Sequence, residues 1–150
     1  MESGSMGIGG LSDEVSSTQR FSDDLLAEAG VSLTAEEQSA IEALPSGSAL
    51  LVAKRGPNAG SRFLLDQEVT TVGRHPNADI FLDDVTVSRR HAEFVRKGAQ
   101  FELHDLASLN GSYFDGARID KAVLVDGAEV QIGKFRLTFF ASRADLQAAQ

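Results

Sequence analysis

From about residue 48 onward, apolar positions come in short runs separated by Gly, Asn, Asp and Pro. The runs are Ala49–Ala53, Arg62–Leu65, Val69–Val72, Ile80–Leu82, Ala92–Val95, Phe101–His104, Ser112–Phe114, Glu129–Ile132 and Phe135–Ala141. Several alternate apolar with polar residues. Phe101 and Leu103 are interleaved with Glu102 and His104, the pattern of a strand with one buried and one wet face. No helical pattern of useful length separates them, which disfavours a doubly wound α/β fold. Short strands at close spacing with turn residues between them predict an all-β sandwich, and Gly56–Gly60 reads as one of its hairpin turns.

The N-terminal third reads differently. Residues 1–18 are rich in Gly, Ser and Met and offer little to bury, so they are predicted to be largely disordered. Phe21, Leu25 and Leu26 suggest one short amphipathic turn or a linear docking segment. Thr34 followed by Glu37 is a capping-box pattern, and it predicts a short helix over 35–44 that Pro45 and Gly47 bring to an end. The expected organisation is an arm over 1–47, a β domain over 48–142 and a helical tail over 143–150.

Charge sharpens this division. The net charge is -8, yet residues 1–47 hold nine acids against Arg20 alone, which leaves thirteen acids and thirteen bases for the rest. An acidic arm is thus joined to a neutral domain, and this balance argues against a nucleic-acid partner. Cysteine is absent, which removes disulfides and thiol chemistry. There is no basic-then-apolar leader and no long apolar run, so the expected protein is soluble and cytoplasmic, with no membrane role.

The candidate chemistry sits in the connections. Gly73-Arg74, Ser88-Arg89-Arg90-His91 and Asn110-Gly111-Ser112 each lie at the edge of a predicted strand. Two or three cations, a hydroxyl and an amide on separate loops can converge on an anionic group, and a phosphorylated side chain demands donors of this kind. Arg74 and Arg89 supply charge, Ser88 a hydroxyl and Asn110 an amide suited to a ligand's backbone. Gly73 and Gly111 give the chain room to turn, and Arg90 is a weaker candidate. A hydrolase triad of Ser88, His91 and Asp105 lacks a nucleophile elbow. His75, His91 and His104 follow no metal-ligand spacing. Gly56–Gly60 lacks the Lys-Ser/Thr ending of a phosphate-binding loop. Lys54, Arg55 and Arg62 form a modest basic patch. No catalytic residue, metal or cofactor is expected.

In order and residue type, the three loop groups resemble the forkhead-associated (FHA) family of β-sandwich domains, which recognise phosphothreonine peptides. The resemblance implies that Arg74 and Ser88 hold the phosphate, Asn110 holds the peptide backbone, Arg89 and Ser112 add ligand contacts, and His91 shapes the loop. Longer stretches, among them GSALLVAKRGPNAGSRFLLD and DIFLDDVTVSRRHAEF, are similar to a group of small actinobacterial metabolic regulators within that family. This implies a monomeric switch that, when unphosphorylated, inhibits the E1 component of 2-oxoglutarate dehydrogenase and an NAD-dependent glutamate dehydrogenase, and activates glutamate synthase. A serine/threonine kinase would phosphorylate the arm at Thr18, with Ser17 less favoured, and the arm would then dock on its own domain. The alternative is a phosphothreonine-peptide adaptor without self-inhibition.

Overall fold

The computed structural model describes residues 33–148, with side chains through residue 146. The expectations for the disordered arm and for Ser17, Thr18 and Phe21 therefore lie outside the described residues.

Among the described residues, eleven strands form two sheets that pack face to face. They are β1 (Ala49–Arg55), β2 (Arg62–Leu65), β3 (Val69–Gly73), β4 (Ile80–Phe81), β5 (Ala92–Lys97) and β6 (Gln100–Asp105), followed by β7 (Ser112–Phe114), β8 (Ala117–Ile119), β9 (Lys121–Val123), β10 (Glu129–Ile132) and β11 (Phe135–Ala141). One sheet runs β9-β6-β5-β3-β4 and the other β2-β1-β11-β10-β7-β8. All pairings are antiparallel except β3 with β4, which run parallel, Val72 opposite Ile80 and Gly73 opposite Phe81.

The alternation seen in the sequence decides which side chains meet. Phe101 and Leu103 are buried while Glu102 and His104 stay on the outer face of β6. They join Leu51, Leu65, Phe94, Ile132, Leu137 and Phe139 between the sheets. The Phe101 and Phe139 rings meet edge to face with centroids 5.8 Å apart. Each such fully buried side chain contributes about 2 kcal/mol, so this layer dominates the stability of the domain.

β1 is buried on both faces, and the reason lies in α1 (Ala35–Glu42). Ile41 of α1 and the following Leu44 pack on Leu50, Val52 and Phe140, the outward side of the sheet. Thr34 and Glu37 close the capping box, and Glu37 also receives Lys54 Nζ at 2.6 Å. Burial pushes the Glu37 carboxyl up, but the bonds from Lys54 and Thr34 outweigh it and leave the group below its usual range. Lys54 is therefore held in this pair and takes no part in an open basic patch.

Three expectations change. The folded unit begins near residue 33, since α1 covers β1 as part of the domain and does not belong to an arm ending at 47. That helix stops at Glu42 with Ala43 as its cap, before Pro45, because Leu44 must turn down into the small apolar cluster. The C-terminal segment is also fastened: α2 (Arg143–Ala148) carries Asp145, whose carboxylate accepts from Gly47 N at 2.8 Å and from the Ser46 hydroxyl. The strands β8 and β9 are additional to the sequence reading. They are three-residue edge strands, and pairing with β7 and β6 specifies them more than any pattern of their own. No helix among the described residues is long and apolar enough to cross a membrane.

Candidate functional site

Three connections meet at one end of the sandwich: the end of β3, the β4–β5 loop and the β6–β7 loop. Their meeting depends on Gly73. A Cβ built on Gly73 would stand 2.0 Å from the Arg89 carbonyl oxygen and 3.3 Å from that of Ser88. The glycine therefore serves close backbone approach, and its φ is not among the positive ones. With the chains this near, Arg74 N donates to the Ser88 carbonyl at 3.0 Å. Arg74 Nε donates to the Val87 carbonyl at 3.2 Å, which fixes the stem of an otherwise exposed guanidinium.

His91 joins the other two loops from beneath. It is fully buried; its Nδ1 accepts from Ser88 N at 3.0 Å and its Nε2 lies 2.9 Å from the Gly111 carbonyl oxygen. One nitrogen accepts and the other donates, which fixes the neutral tautomer with hydrogen on Nε2. Ser88 continues the connection upward, because its Oγ accepts from Leu109 N at 3.0 Å. The Ser88 hydroxyl hydrogen has no acceptor among the described residues. Asn110 Nδ2 donates to the Thr86 carbonyl at 2.9 Å, leaving Oδ1 and the second amide hydrogen toward solvent.

The β6–β7 loop has its own clasp. Asp105 accepts from Ser108 N at 3.1 Å, Ser108 Oγ at 2.6 Å and Ser112 Oγ at 2.7 Å, while Ser108 Oγ accepts from Gly111 N at 3.0 Å. Burial pushes the Asp105 carboxyl up, yet the bonds from Ser108 and Ser112 outweigh it and hold the group below its ordinary range. Gly111 sits at φ +86, and a Cβ there would come within 2.5 Å of Arg118 Nε. The positive φ requires glycine, while the Arg118 side chain could swing aside to admit a methyl group.

Ser112 sits lower than the other site candidates. It is fully buried and its hydroxyl donates to Asp105, which makes it part of the frame beneath the loops. Arg89 and Arg90 both reach the surface and line a neighbouring cleft of about 250 Å³ with His75, Asn77 and Leu106. That cleft does not include Arg74, Ser88 or Asn110. His75, His91 and His104 do not form a metal-binding group among the described residues.

A model of the FHA domain matches residues 70–133, the span that holds all three loops. Glycogen accumulation regulator GarA of Mycolicibacterium smegmatis is 59% identical over 128 residues, covering 83% of this chain and 81% of that protein. The chain belongs to the GarA family of FHA-domain regulators. The oxoglutarate dehydrogenase inhibitor of Corynebacterium jeikeium is 60% identical over 126 residues, covering 83% of this chain and 88% of that protein. Among solved structures, one described as an analysis of phosphothreonine-dependent FHA domain interactions is 30% identical with a TM-score of 0.58, covering 62% of this chain and 95% of that one. These GarA-family relatives are named as regulators and inhibitors, and the FHA domain is a binding module, not a catalytic one.

Within this GarA-family domain, sequence reasoning missed the residues that brace the loops. Asp84 accepts from Thr86 N at 2.8 Å and from its hydroxyl, and Lys134 Nζ lies 2.8 Å from Asp84 Oδ1. Those bonds, led by Lys134, hold the Asp84 carboxyl down to about 2. Asp105 was considered only for a triad, although Asp105 followed three residues later by Ser108 is a turn-closing pattern that could have flagged the clasp. Arg118, on a strand that the sequence did not reveal, packs over Gly111.

The clasp has a pH signature. A carboxyl with a depressed folded-state value stabilises the fold above its unfolded value, about pH 4, and that contribution is lost as pH falls through the folded value. An Asp105→Asn variant is expected to melt below the wild type at neutral pH and to converge with it as the pH falls through the depressed folded-state value. Thermal unfolding followed by circular dichroism checks this, and a constant gap across the range would contradict it.

Proposed function

We propose that the protein is a phosphorylation-controlled binding regulator whose three loops hold a phosphothreonine peptide. Arg74 and Arg89 supply charge to the phosphate, Ser88 donates its hydroxyl, and Asn110 pairs with the ligand's backbone. The observation that carries this reading is the state of Ser88. Its oxygen is satisfied by Leu109 N–H, which aligns it. Its proton is left for an incoming anion, beside a guanidinium anchored on Val87. A hydroxyl donating to an ionised acceptor makes one of the stronger hydrogen bonds available to a protein.

The names of the relatives support the partner side of the proposal. One is named an inhibitor of oxoglutarate dehydrogenase and another a regulator of glycogen accumulation. In its unphosphorylated form this protein would bind and inhibit the 2-oxoglutarate dehydrogenase E1 component and an NAD-dependent glutamate dehydrogenase, and activate glutamate synthase. A serine/threonine kinase would end that activity by modifying Thr18 in the run Ser17-Thr18-Gln19-Arg20-Phe21. Thr18 is favoured over Ser17 because the resemblance to FHA domains implies a preference for phosphothreonine. A tethered phosphothreonine meets its own site at an effective concentration of up to about millimolar, so modest intrinsic affinity suffices to exclude a partner.

Thr18→Ala is expected to leave dehydrogenase inhibition intact and make it insensitive to kinase treatment. Inhibition assays before and after incubation with a threonine kinase check this. A Thr18→Ala protein that the kinase still switches off would move the control elsewhere. A wild type that binds a phosphothreonine peptide yet keeps inhibiting after phosphorylation would favour the plain adaptor reading.

A further inference from the structure

Asn110 is followed by glycine, whereas Asn58 and Asn77, the other asparagines of the chain, are each followed by alanine. The backbone nitrogen after an asparagine can attack that asparagine's own side-chain carbonyl, an intramolecular step that needs only the right approach. Glycine in the following place leaves the approach open, since it has no Cβ to crowd its nitrogen. The Asn110 side chain is exposed, so water reaches it, while Gly111 is buried. Nucleophile and electrophile therefore stand in adjacent residues, and one of them is the amide that reads the ligand in the function proposed above.

Each reacting group is tied to something else. Gly111 N donates to Ser108 Oγ at 3.0 Å, and that hydroxyl donates to Asp105 Oδ1 at 2.6 Å. Asn110 Nδ2 donates to the Thr86 carbonyl at 2.9 Å, across on the β4–β5 loop, which draws the side chain away from its own main chain. The Gly111 carbonyl is held by His91 Nε2 at 2.9 Å. Burial raises the Asp105 carboxyl, but its bonds from Ser108 and Ser112 keep it below its ordinary range. It is accordingly a poor base, and the relay from Gly111 N–H through Ser108 retains the proton that the attack must shed. We propose that Asn110 is a latent site of deamidation, guarded by the Asp105-Ser108 clasp, which keeps the Gly111 nitrogen occupied.

When the loop opens, Gly111 N bonds to Asn110 Cγ and the Cγ–Nδ2 bond breaks. The Gly111 amide proton leaves with Nδ2 as ammonia. Water then opens the cyclic imide at either carbonyl, giving aspartate or isoaspartate, and no oxidant or reductant takes part. Both products replace the amide that donates to Thr86 with a carboxylate, which sets negative charge among the loops that carry Arg74 and Ser88. Isoaspartate also inserts a methylene into the main chain just before Gly111. The Gly111 carbonyl holds His91 and His91 holds Ser88 N, so that change reaches the hydroxyl proposed to meet the phosphate.

The test ages the full chain in warm, mildly alkaline buffer and follows each asparagine by peptide mapping and mass spectrometry. Asp115-Gly116 and Asp126-Gly127 can isomerise through the same imide, but without a change of mass, so the mass gain reports amide loss alone. The expected result is rapid loss at Asn110 in the urea-unfolded chain and slow loss in the native wild type. Ser108→Ala, which frees Gly111 N, is expected to lose the Asn110 amide about fivefold faster than the native wild type, the change in loop opening that one fewer hydrogen bond brings. Ser112→Ala removes a different bond of the same clasp and is expected to stay near the wild-type rate. Hydrogen exchange in the wild type, which needs no variant to fold, is expected to show a protected Gly111 amide. Native loss as fast as in urea, an unprotected Gly111 amide, or equal rates in the two serine variants would overturn the proposal. Calorimetry of the aged fraction with a peptide carrying Ser17-Thr18-Gln19-Arg20-Phe21, phosphorylated at Thr18, is expected to show weakened binding. Full binding after proven amide loss would count against the ligand-reading role of Asn110 and leave the guarded chemistry standing.

Discussion

Arg74→Ala is expected to weaken binding of a phosphothreonine peptide about a hundredfold while lowering the melting temperature by only a few degrees. The first half follows from the kind of contact. A guanidinium offers several donors to a doubly charged group, and a charge-assisted hydrogen bond of this sort contributes about 1.5–3 kcal/mol. Two decades of affinity correspond to about 2.7 kcal/mol. The second half follows from exposure. The Arg74 side chain makes a single bond to the Val87 carbonyl, whereas the loop-closing bond to Ser88 comes from its backbone and survives the substitution. Calorimetry with a phosphorylated peptide and a thermal melt together separate the two effects. Undiminished affinity would remove Arg74 from the site, and a melt lowered as far as the affinity would make it structural.

Gly73→Ala should do the opposite, damaging both properties through the frame. A methyl group placed 2.0 Å from the Arg89 carbonyl oxygen and 2.8 Å from its carbon meets backbone, which no rotamer change can move aside. The loop bearing Ser88 and Arg89 has to lift away from β3. That strains the bonds from Arg74 N to Ser88 and from His91 N to Val72. Overpacking typically costs about 1–3 kcal/mol, and against unyielding backbone the upper end is expected, enough to lower the melting temperature by about 10 °C in a domain of this size. A Gly73→Ala protein that melts like the wild type and binds the peptide normally would show that the loop yields freely.

These two residues illustrate what could be read from the chain alone. The placement of Arg74, Ser88 and Asn110 on loops that converge at one end of the sandwich was legible because each stands in a short recognisable group at a strand end. The reason for Gly73 was not, since close approach of two chain segments sixteen residues apart in sequence leaves no local mark. The long β10 and β11 runs were legible with their bounds, for their buried positions alternate or cluster in apolar residues. β8 and β9 were hidden because Ala117–Ile119 and Lys121–Val123 have few buried positions and acquire strand form from their neighbours. The helix was visible from its capping box, but its membership of the domain was not. That depends on Leu50, Val52 and Phe140 presenting an apolar face outward, which becomes evident only when β1 and β11 are side by side. The burial of Ser112 was hidden for a similar reason: one register step in β7 separates a rim position from a buried one.

The grip of the site loops on one another also bears on how this surface can diversify. The groups that hold Arg74, His91 and Asn110 in place are main-chain carbonyls and amides of Thr86, Val87, Ser88 and Gly111. The side-chain clasps of Asp84 on Thr86 and of Asp105 on Ser108 and Ser112 brace the same loops from beneath. Val85 and Leu109, each 84% exposed, stand beside them with no packing role in the fold. Mutation at those two positions can therefore retune which partners are preferred while the anchoring geometry is inherited unchanged. Those two positions are free to drift because the main-chain bonds and the side-chain clasps that hold the loops do not draw on their side chains.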